Sequence, residues 1–423
     1  MAAQTPVFPI PLIRIGESNN LNQVITDVNA AVTPLVYVGQ EHYNAKAMGA
    51  NGGGNADDTA ALQFAINTAL AGNKPLFVPP GSYRTTAPLV IGDGSSSLYY
   101  GFKMYGSNRY QTRIKLTPTS DTSPVQQQAV VIWNKNAWRD AYFGDIALRC
   151  AFESTNLSWT DGAQYGLQIA STELSNCNFN NINIQDATTA IGMLTGTGSN
   201  GEFCRFSNFQ AINVLNFFYT DAGQALDHSF SHGFILFRAG GTVFKADCSV
   251  VGGGMHLFNV SATVQTPRPT VSNSVLFDVR QNSNSPISVV GGRFEHITGI
   301  INLNSGNQNG IVYTPFSFVG STFTTDWRTG DITNTIASVI NENGTGIAPN
   351  RLSFQGCRFD SVNAADSSQR FDTILPAGSR TMLTFDQCGW DGYGAVPSFA
   401  GGTYGATLAY VTRQCHQDGT LIT

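Results

Sequence analysis

A tripeptide made of a cysteine, a variable residue and an aromatic recurs along this chain at regular intervals. Its first three copies begin at Cys150, Cys177 and Cys204, 27 residues apart, and two more begin at Cys357 and Cys388, 31 residues apart. A period of roughly 20–50 residues is typical of chains that stack copies of one small unit. Because each such unit buries its apolar face only against its neighbours, the repeat predicts an elongated stack rather than one compact core.

Aromatic residues extend this series beyond the cysteines. Aligned on the aromatic, the marked positions are Phe152, Phe179, Phe206, Phe230, Phe294, Phe323, Phe359 and Trp390. The gap of 64 residues between Phe230 and Phe294 has room for two unmarked units. Short apolar runs bounded by Gly, Asn, Ser or Pro lie between the marks, as expected of short strands. The sequence therefore predicts coils of three short strands, with longer turns gathered on one face as a binding surface.

The composition narrows the class of partner. Charged residues make up 12% of the chain, about half of the usual share near 25%, and there are 44 glycines, which suits tight turns and neutral polar faces. The net charge of −5 and the lack of any Lys/Arg run argue against nucleic acid as the partner. Seven cysteines at wide, regular spacings fit neither a disulfide framework nor a zinc site. We expect them to act as small buried apolar residues.

The ends of the chain carry weaker signals. The N-terminus lacks the pattern of a signal peptide, and no apolar run reaches the ~18 residues of a membrane helix, so we expect no membrane insertion. Residues 1–42 contain a short helical pattern that would pack on the end of the stack or meet copies of itself around a three-fold axis. Residues 396–423 lose the coil pattern and are predicted to be a C-terminal cap or an intersubunit segment.

The segment Tyr43–Thr86 has a different pattern from the repeats. Asp57-Asp58-Thr59 is a helix N-cap signal, and the apolar run after it has helical spacing and ends at Gly72-Asn73. A short strand, Leu76–Val78, follows and ends at Pro79-Pro80-Gly81. For the two aspartates, we consider capping a better explanation than catalysis.

The order and spacing of residues in this segment resemble the opening module of the pectate-lyase-like superfamily. The matching positions are Asn44-Ala45, Gly49-Ala50, Asp57-Asp58-Thr59, Ala61, Gln63, Ala65-Ile66, Pro79-Pro80-Gly81 and Tyr83. The resemblance implies an all-β fold, a right-handed parallel β-helix (a solenoid) over residues 43–395, with a short capping helix near residues 57–71. In overall layout the chain resembles bacteriophage tailspikes and capsule depolymerases, which implies a homotrimer attached to a phage tail through residues 1–42.

No Walker loop, GxSxG, HExxH, CxxC or EF-hand motif is present, and we expect no metal or cofactor. Carboxylates are then the remaining candidates for catalysis. Glycoside hydrolysis needs a proton donor and a second carboxylate, and adjacent coils can supply both. The candidate catalytic residues are Glu202, Asp221, Asp227 and Glu295. The candidate substrate-binding residues are His232, His296, Arg293, Tyr219 and Trp159. His232 and His296 follow an aromatic by two residues, as Asn181 and Asn208 do, so a hydrogen-bonded polar column explains them equally.

Three functions remain open from the sequence. The first is a tailspike-like protein, in a virion or extracellular after lysis, that hydrolyses a bacterial surface polysaccharide. The second is a polysaccharide lyase on the same fold, with a base among His228, His232, Arg238 and Lys245. The third is a spike that binds glycan without cleaving it, because a fold does not determine its site.

Overall fold

The computed structural model describes residues 41–422 with internal gaps, and the predicted N-terminal extension falls almost wholly outside the described residues. The gaps are 96, 118–128, 135, 151–164, 171–172, 195–199, 222–223, 247–253, 266–273, 280–285, 305–314, 326–339, 344–350, 362–370, 376–381, 394–397, 402, 405–406, 409 and 418–419. Where it is described, the chain is mostly β-strand with one α-helix. No helix in these ranges has the length and apolar character of a membrane span.

The helix, α1, runs from Thr59 to Ala71 and confirms the predicted boundaries. Its buried face consists of Leu62, Ala65, Ile66 and Ala69. Neither aspartate before it is free for chemistry. Asp57 Oδ1 accepts from Thr59 N–H at 3.0 Å, and the buried Asp58 carboxylate accepts from Asn51 N–H at 2.6 Å and Gly52 N–H at 3.1 Å. Asp58 therefore holds the glycine-rich loop against the start of the helix, and Asp57 bonds the first helical residue.

The strands are short and follow one another closely along the chain. The first twenty are β1 Tyr43–Asn44, β2 Gly53–Asp57, β3 Leu76–Val78, β4 Gly81–Thr85, β5 Leu89–Ile91, β6 Leu98–Tyr100, β7 Lys103–Gly106, β8 Thr112–Leu116, β9 Ala129–Trp133, β10 Ala137–Arg139, β11 Tyr142–Arg149, β12 Tyr165–Ile169, β13 Glu173–Ser175, β14 Asn178–Gln185, β15 Thr189–Met193, β16 Asn200–Glu202, β17 Arg205–Ser207, β18 Gln210–Thr220, β19 Gln224–Leu226 and β20 His228–Ala246. The others are β21 Met255–Val264, β22 Val275–Val279, β23 Ile287–Val290, β24 Arg293–Ile297, β25 Gly299–Asn304, β26 Pro315–Val319, β27 Thr322–Thr325, β28 Ile340–Asn343, β29 Arg351–Gln355, β30 Arg358–Ser361, β31 Asp372–Leu375, β32 Met382–Asp386, β33 Gly389–Asp391, β34 Ser398–Gly401, β35 Thr403–Tyr404, β36 Thr407–Leu408, β37 Tyr410–Arg413, β38 Cys415–Gln417 and β39 Thr420–Ile422.

Most of these strands pair in parallel with a strand of the next repeat. The partner residue lies from 23 positions later, as for Val214 and Phe237, to 42 positions later, as for Leu89 and Val131. β35–β36 and β38–β39 pair antiparallel instead. A repeat that pairs in register with the next one explains the periodicity of the sequence, since every equivalent residue falls into one column along the stack.

Four series of such pairings, here called faces A to D, follow one another along each of the early repeats in the order D, A, B, C. Face A contains β1, β3, β7, β17, β23, β26, β29, β32, β37 and the first parts of β11, β14, β20 and β21. Face B contains β2, β4, β8, β24, β27, β30, β33, β38 and the following parts of β11, β14, β18, β20 and β21. Face C contains β5, β9, β12, β15, β22, β25, β28, β31, β34 and the ends of β18 and β20. Face D is the five-stranded sheet β6, β10, β13, β16 and β19.

The core lies on the inward side of these faces and is built from stacked rings. On face A, Phe206 lies between Phe179 and Phe230, with ring centroids 4.8 Å apart on both sides and the planes tilted by 9°. The ring spacing matches the spacing of about 4.8 Å between strands, so identical residues at equivalent positions pack face to face.

The predicted alignment of the aromatics is wrong in its second half. Phe230 belongs to face A, whereas Phe294 pairs with Ala262 and heads a separate face B column that continues through Phe323, Phe359 and Trp390. Cys150 follows a face B strand, whereas Cys177 and Cys204 precede face A strands, so their equal spacing does not join equivalent positions. Among the described cysteines, all six are buried and free, which confirms their predicted apolar role.

The bends between faces explain the recurrent polar residues. Asn181, Asn208, His232 and Asn259, which lie between faces A and B, all have φ between 52° and 54°. Asn tolerates this left-handed conformation better than most residues, so it recurs at the bend. The amides also bond along the stack, since Asn181 Nδ2 donates to Asp145 Oδ1 at 2.8 Å and Asn208 Nδ2 to Asn180 Oδ1 at 2.9 Å.

Candidate functional site

A second left-handed bend joins face D to face A and contains one of the predicted acids. Its equivalent residues are Asp140, Asn176, Phe203 and Asp227, with φ of 55°, 54°, 52° and 49°. A short polar side chain suits such a bend because it bonds locally and tolerates positive φ. At Asp227 the bend therefore holds a half-buried carboxylate at the end of face D.

Glu202 lies one repeat before this bend. In the register of face D, Glu202 is opposite Leu226, the residue that immediately precedes Asp227. Neighbouring strands are about 4.8 Å apart. The backbone positions of Glu202 and Asp227 are therefore separated by one strand spacing across the face and by one residue along the strand. Both side chains are half-buried. Two of the four predicted catalytic acids therefore lie next to one another, on adjacent repeats.

His256 completes a chain of contacts on the other side of Asp227. Its Nε2 lies 3.4 Å from Asp227 Oδ1, and its Nδ1 lies 2.7 Å from Ser288 Oγ. His256 and Ser288 are opposite one another on face A, both pointing outward. A neutral ring satisfies both contacts only when Nε2–H donates to the carboxylate and Nδ1 accepts from the serine hydroxyl.

Sequence reasoning missed His256 and Ser288. Both lie in the gap between Phe230 and Phe294, where the aromatic marks stop. The sequence feature that could have identified His256 is the alternation of Met255, His256 and Leu257. In this pattern the histidine takes the outward position between two buried residues.

The predicted residues Tyr219 and Asp221 lie beside face C. The Tyr219 ring has Lys245 Nζ 5.8 Å from its centroid, and Lys245 is its register partner in the next repeat. Asp221 directly follows the same strand, where its N–H donates to Met193 O at 3.3 Å. Burial, and secondarily the charge of Asp221, raises the pKa of Tyr165. Asp221 therefore stands at the end of face C that leads into face D.

Glu295 does not join Asp227. It lies on face B, two repeats further along the stack, and its Oε1 contacts Arg293 Nη2 at 2.6 Å. The Arg293 side chain is 69% exposed, whereas that of Glu295 is 29% exposed. This pair forms an outward-facing ion pair on the strand, of the kind that contributes little to stability.

The predicted binding histidines occupy bends rather than a shared pocket. His232 is exposed at φ 54° between faces A and B, and His296 has φ 63° where the register between β24 and β27 is interrupted. Trp159 lies outside the described residues. Within the described ranges, no group of three or more His, Cys, Asp and Glu side chains is arranged to hold a metal ion.

His228, a candidate base for the lyase alternative, is a core residue. It is fully buried, its ring packs against Phe206 and Phe218, and its Nδ1 accepts from Cys204 N–H at 3.3 Å. Its Nε2 has no hydrogen-bond partner among the described residues. Burial lowers the pKa of His228 to about 4; the charge of Asp227 opposes this shift to a smaller extent, and His256 adds slightly to it. A neutral, inaccessible ring cannot reach a glycan.

The buried His228 predicts an acid-sensitive fold. Its folded-state pKa of about 4 lies below the unfolded value of about 6.5, so the unfolded chain binds the proton first. Above pH 6.5 this group does not lower the free energy of unfolding. As the pH drops toward 4, protonation of His228 in the unfolded chain lowers the free energy of unfolding by about 3 kcal/mol in total. Guanidinium unfolding of the wild type and of His228→Met between pH 7 and pH 4.5 measures this slope. The variant should lose most of the pH dependence; an unchanged slope would show that His228 is not responsible.

A family model described as "Rhamnogalacturonase A/epimerase, pectate lyase-like" matches residues 42–246. The predicted pectate-lyase-like resemblance is confirmed. The residues that the family model matches include α1, the bend at Asp227 and the first part of the aromatic core. The match includes Glu202 and Asp227, while His256 and Ser288 lie beyond the matched residues.

Curated relatives match a shorter segment. Mannuronan C5-epimerase AlgE4 from Azotobacter vinelandii is 41% identical over 80 residues, which is 19% of this chain and 14% of the epimerase. Alginate lyase 7 from the same organism is 37% identical over 75 residues, 18% of this chain and 9% of the lyase. The matched segment therefore spans only a small fraction of the length of these relatives.

Solved structures match the chain over most of its length. The gp42 tailspike of Acinetobacter phage vb_AbaP_AS12 has a TM-score of 0.55 at 11% identity and covers 90% of this chain and 62% of the tailspike. The catalytic unit of the GH87 α-1,3-glucanase from Streptomyces thermodiastaticus strain HF3-3 has a TM-score of 0.52 at 13% identity, covering 90% and 70%. At these identities the likeness shows a shared fold and nothing further.

Proposed function

We propose that this protein cleaves a bacterial surface polysaccharide by glycoside hydrolysis at the bend between faces D and A. The observation that carries the proposal is the placement of Glu202 and Asp227 on adjacent repeats, with His256 Nε2 3.4 Å from Asp227 Oδ1. Glu202 is the proton donor to the leaving oxygen, and Asp227 is the second carboxylate, which acts as nucleophile or activates water. The polysaccharide-related names of the sequence relatives and the tailspike and glucanase neighbours support the substrate class.

The two acids have different surroundings, which suits different roles. His256 Nε2 lies 3.4 Å from Asp227 Oδ1, so the ring holds this carboxylate in one orientation. Glu202 lies on face D, whose outward side chains include the ion pair of Arg139 with Glu173. Glu202 itself is opposite Ser175 in the preceding repeat, so its register neighbour on that side is a small residue.

Substrate contacts extend from this bend toward the neighbouring faces. Tyr219 and Lys245 offer an aromatic ring and a cation on face C, and Asp221 stands where face C turns toward face D. We keep Arg293, Glu295, His232 and His296 as more distant contacts for a long glycan, on face B and the bend before it. A polymer running along the stack axis would meet several repeats at once.

The finer architecture belongs to the same proposal. The faces close into a right-handed parallel β-helix over residues 43–395, with α1 covering its N-terminal end and residues 396–423 its C-terminal end. The chain forms a homotrimer that is attached to a phage tail through residues 1–42 and acts in the virion or outside the cell after lysis. The tailspike neighbour supports this arrangement by its fold.

A lyase is the second candidate, because one contact favours it. His256 is half-exposed and held by Asp227, as a general base would be. A lyase breaks the glycosidic bond by elimination and leaves an unsaturated uronate, whereas a hydrolase leaves only new reducing ends. Measuring both products on the same polysaccharide separates the two reactions.

The variant Glu202→Gln tests the proton donor. Glutamine keeps the size of the side chain but cannot protonate the leaving group, so the cleavage rate should fall by about 10²–10⁴-fold. Glu173→Gln is the matched control, since Glu173 lies on the same face and is paired with Arg139. The release of reducing ends from a capsular polysaccharide measures both. Equal rates in the Glu202 variant and in the wild type would remove Glu202 from the mechanism.

A further inference from the structure

The hydroxyl of Ser288 lies near the site and takes no part in the proposed glycoside hydrolysis. Ser288 Oγ lies 2.7 Å from His256 Nδ1, and the opposite ring nitrogen faces Asp227 Oδ1 at 3.4 Å. The three side chains come from three successive repeats and all lie on the outward side. A hydroxyl, an imidazole and a carboxylate joined in this order form the arrangement that activates a serine nucleophile.

We propose that Ser288, His256 and Asp227 form an acyl-transfer site that removes O-acyl groups, such as O-acetyl esters, from sugar hydroxyls. This inference rests on the proposed function only in taking a glycan as the natural carrier of the ester. Ser288 is the nucleophile, His256 the general base and then the general acid, and Asp227 orients the ring. The 3.4 Å contact is long, as such contacts often are before substrate binds.

The reaction balances with water as the sole co-reactant. Ser288 Oγ attacks the carbonyl carbon of the ester while its proton passes to His256 Nδ1. The carbon–oxygen bond to the sugar then breaks, and His256 returns the proton to the departing sugar oxygen. Water, deprotonated by His256, next attacks the acyl-serine; the acid leaves and Ser288 regains its proton. The net products are the free sugar hydroxyl and a carboxylic acid.

The surface around Ser288 suits an ester. Ser317 is opposite Ser288 in the next repeat and exposed, so its hydroxyl is a donor for the carbonyl oxygen as negative charge develops there. Two positions further along these strands, Phe258, Val290 and Val319 are 43%, 41% and 36% exposed and stack in register. This apolar stripe lies beside the hydroxyls and accommodates the methyl group of a short acyl chain.

The test uses the full chain and two probes. The first is 4-nitrophenyl acetate, which contains no glycosidic bond, and the second is an O-acetylated bacterial polysaccharide from which released acetate is quantified. Ser288→Ala should lower the turnover of both probes by about 10³-fold or more. Ser353→Ala is the matched control, since Ser353 lies in the same outward column two repeats further on, and it should keep the wild-type rate.

A covalent readout separates catalysis from structure. A fluorophosphonate should modify the wild-type protein on the peptide that contains Ser288 and leave Ser288→Ala unlabelled. The inference is overturned if the wild type hydrolyses neither probe, if Ser288→Ala matches the wild type, or if the label is found on another serine. Hydrolysis of 4-nitrophenyl acetate without any new reducing ends would support this site and overturn the proposed glycoside hydrolysis.

Discussion

Asp227→Asn should abolish polysaccharide cleavage while leaving the fold intact. The expected loss is about 10³-fold or more, because the amide can neither act as a nucleophile nor take a proton from water. Asparagine is suited to this position: it tolerates the left-handed φ of 49°, and its side-chain oxygen still accepts from His256. The substitution therefore removes the charge and little else.

Asp140→Asn is a closely matched control. Asp140 occupies the same bend in an earlier repeat, at φ 55°, and its Oδ1 accepts from Asn176 Nδ2. Both variants should unfold at the wild-type guanidinium concentration, and Asp140→Asn should cleave at the wild-type rate. If both variants lose activity equally, the bend has a structural role in activity and Asp227 has no special one. If Asp227→Asn is fully active, the proposed site is in the wrong place.

Phe206→Ala should be among the most destabilising single substitutions in the chain. Phe206 is 1% exposed, stacked between Phe179 and Phe230 and in edge contact with Phe218 at 6.2 Å. Removing a fully buried Phe costs about 3–5 kcal/mol. A cost near the upper end is expected, because the backbone pairing on both sides holds the strands apart and the cavity cannot collapse.

Phe258→Ala provides the comparison on the same face. Phe258 points outward, is 43% exposed and lies opposite Ser231, so its loss should cost about 0.5 kcal/mol or less. The midpoint of guanidinium unfolding, followed by circular dichroism, measures both variants. Similar midpoints for the two variants would contradict the stacked aromatic core.

The sequence predicted the stacking and the strand-rich character because a buried residue recurs once per repeat. It could not predict which face each mark belonged to. Every face carries its own inward column with the same period, so Phe230 and Phe294 look alike in the sequence although they lie on different faces. Only the number of residues in each turn separates them, and that varies from repeat to repeat.

The arrangement of the candidate site could not be predicted from the sequence for a related reason. Asp227 and Glu202 were found as carboxylates on the central repeats, but their adjacency depends on the register of β16 with β19. Glu295, another of the candidate catalytic residues, follows an aromatic mark, but the strand that carries it belongs to another face. His256 carries no mark at all, and its contact with Asp227 arises only from the stacking of neighbouring repeats.

The most direct test of the account is an assay of one polysaccharide digest by two readouts, new reducing ends and the ultraviolet absorbance of unsaturated uronates. The digest uses a capsular or O-antigen polysaccharide that the wild-type protein depolymerises. We predict reducing ends without unsaturated uronates, lost in Asp227→Asn and retained in Asp140→Asn. Unsaturated products from the wild type, or unchanged reducing ends from Asp227→Asn, would contradict hydrolysis at the bend between faces D and A.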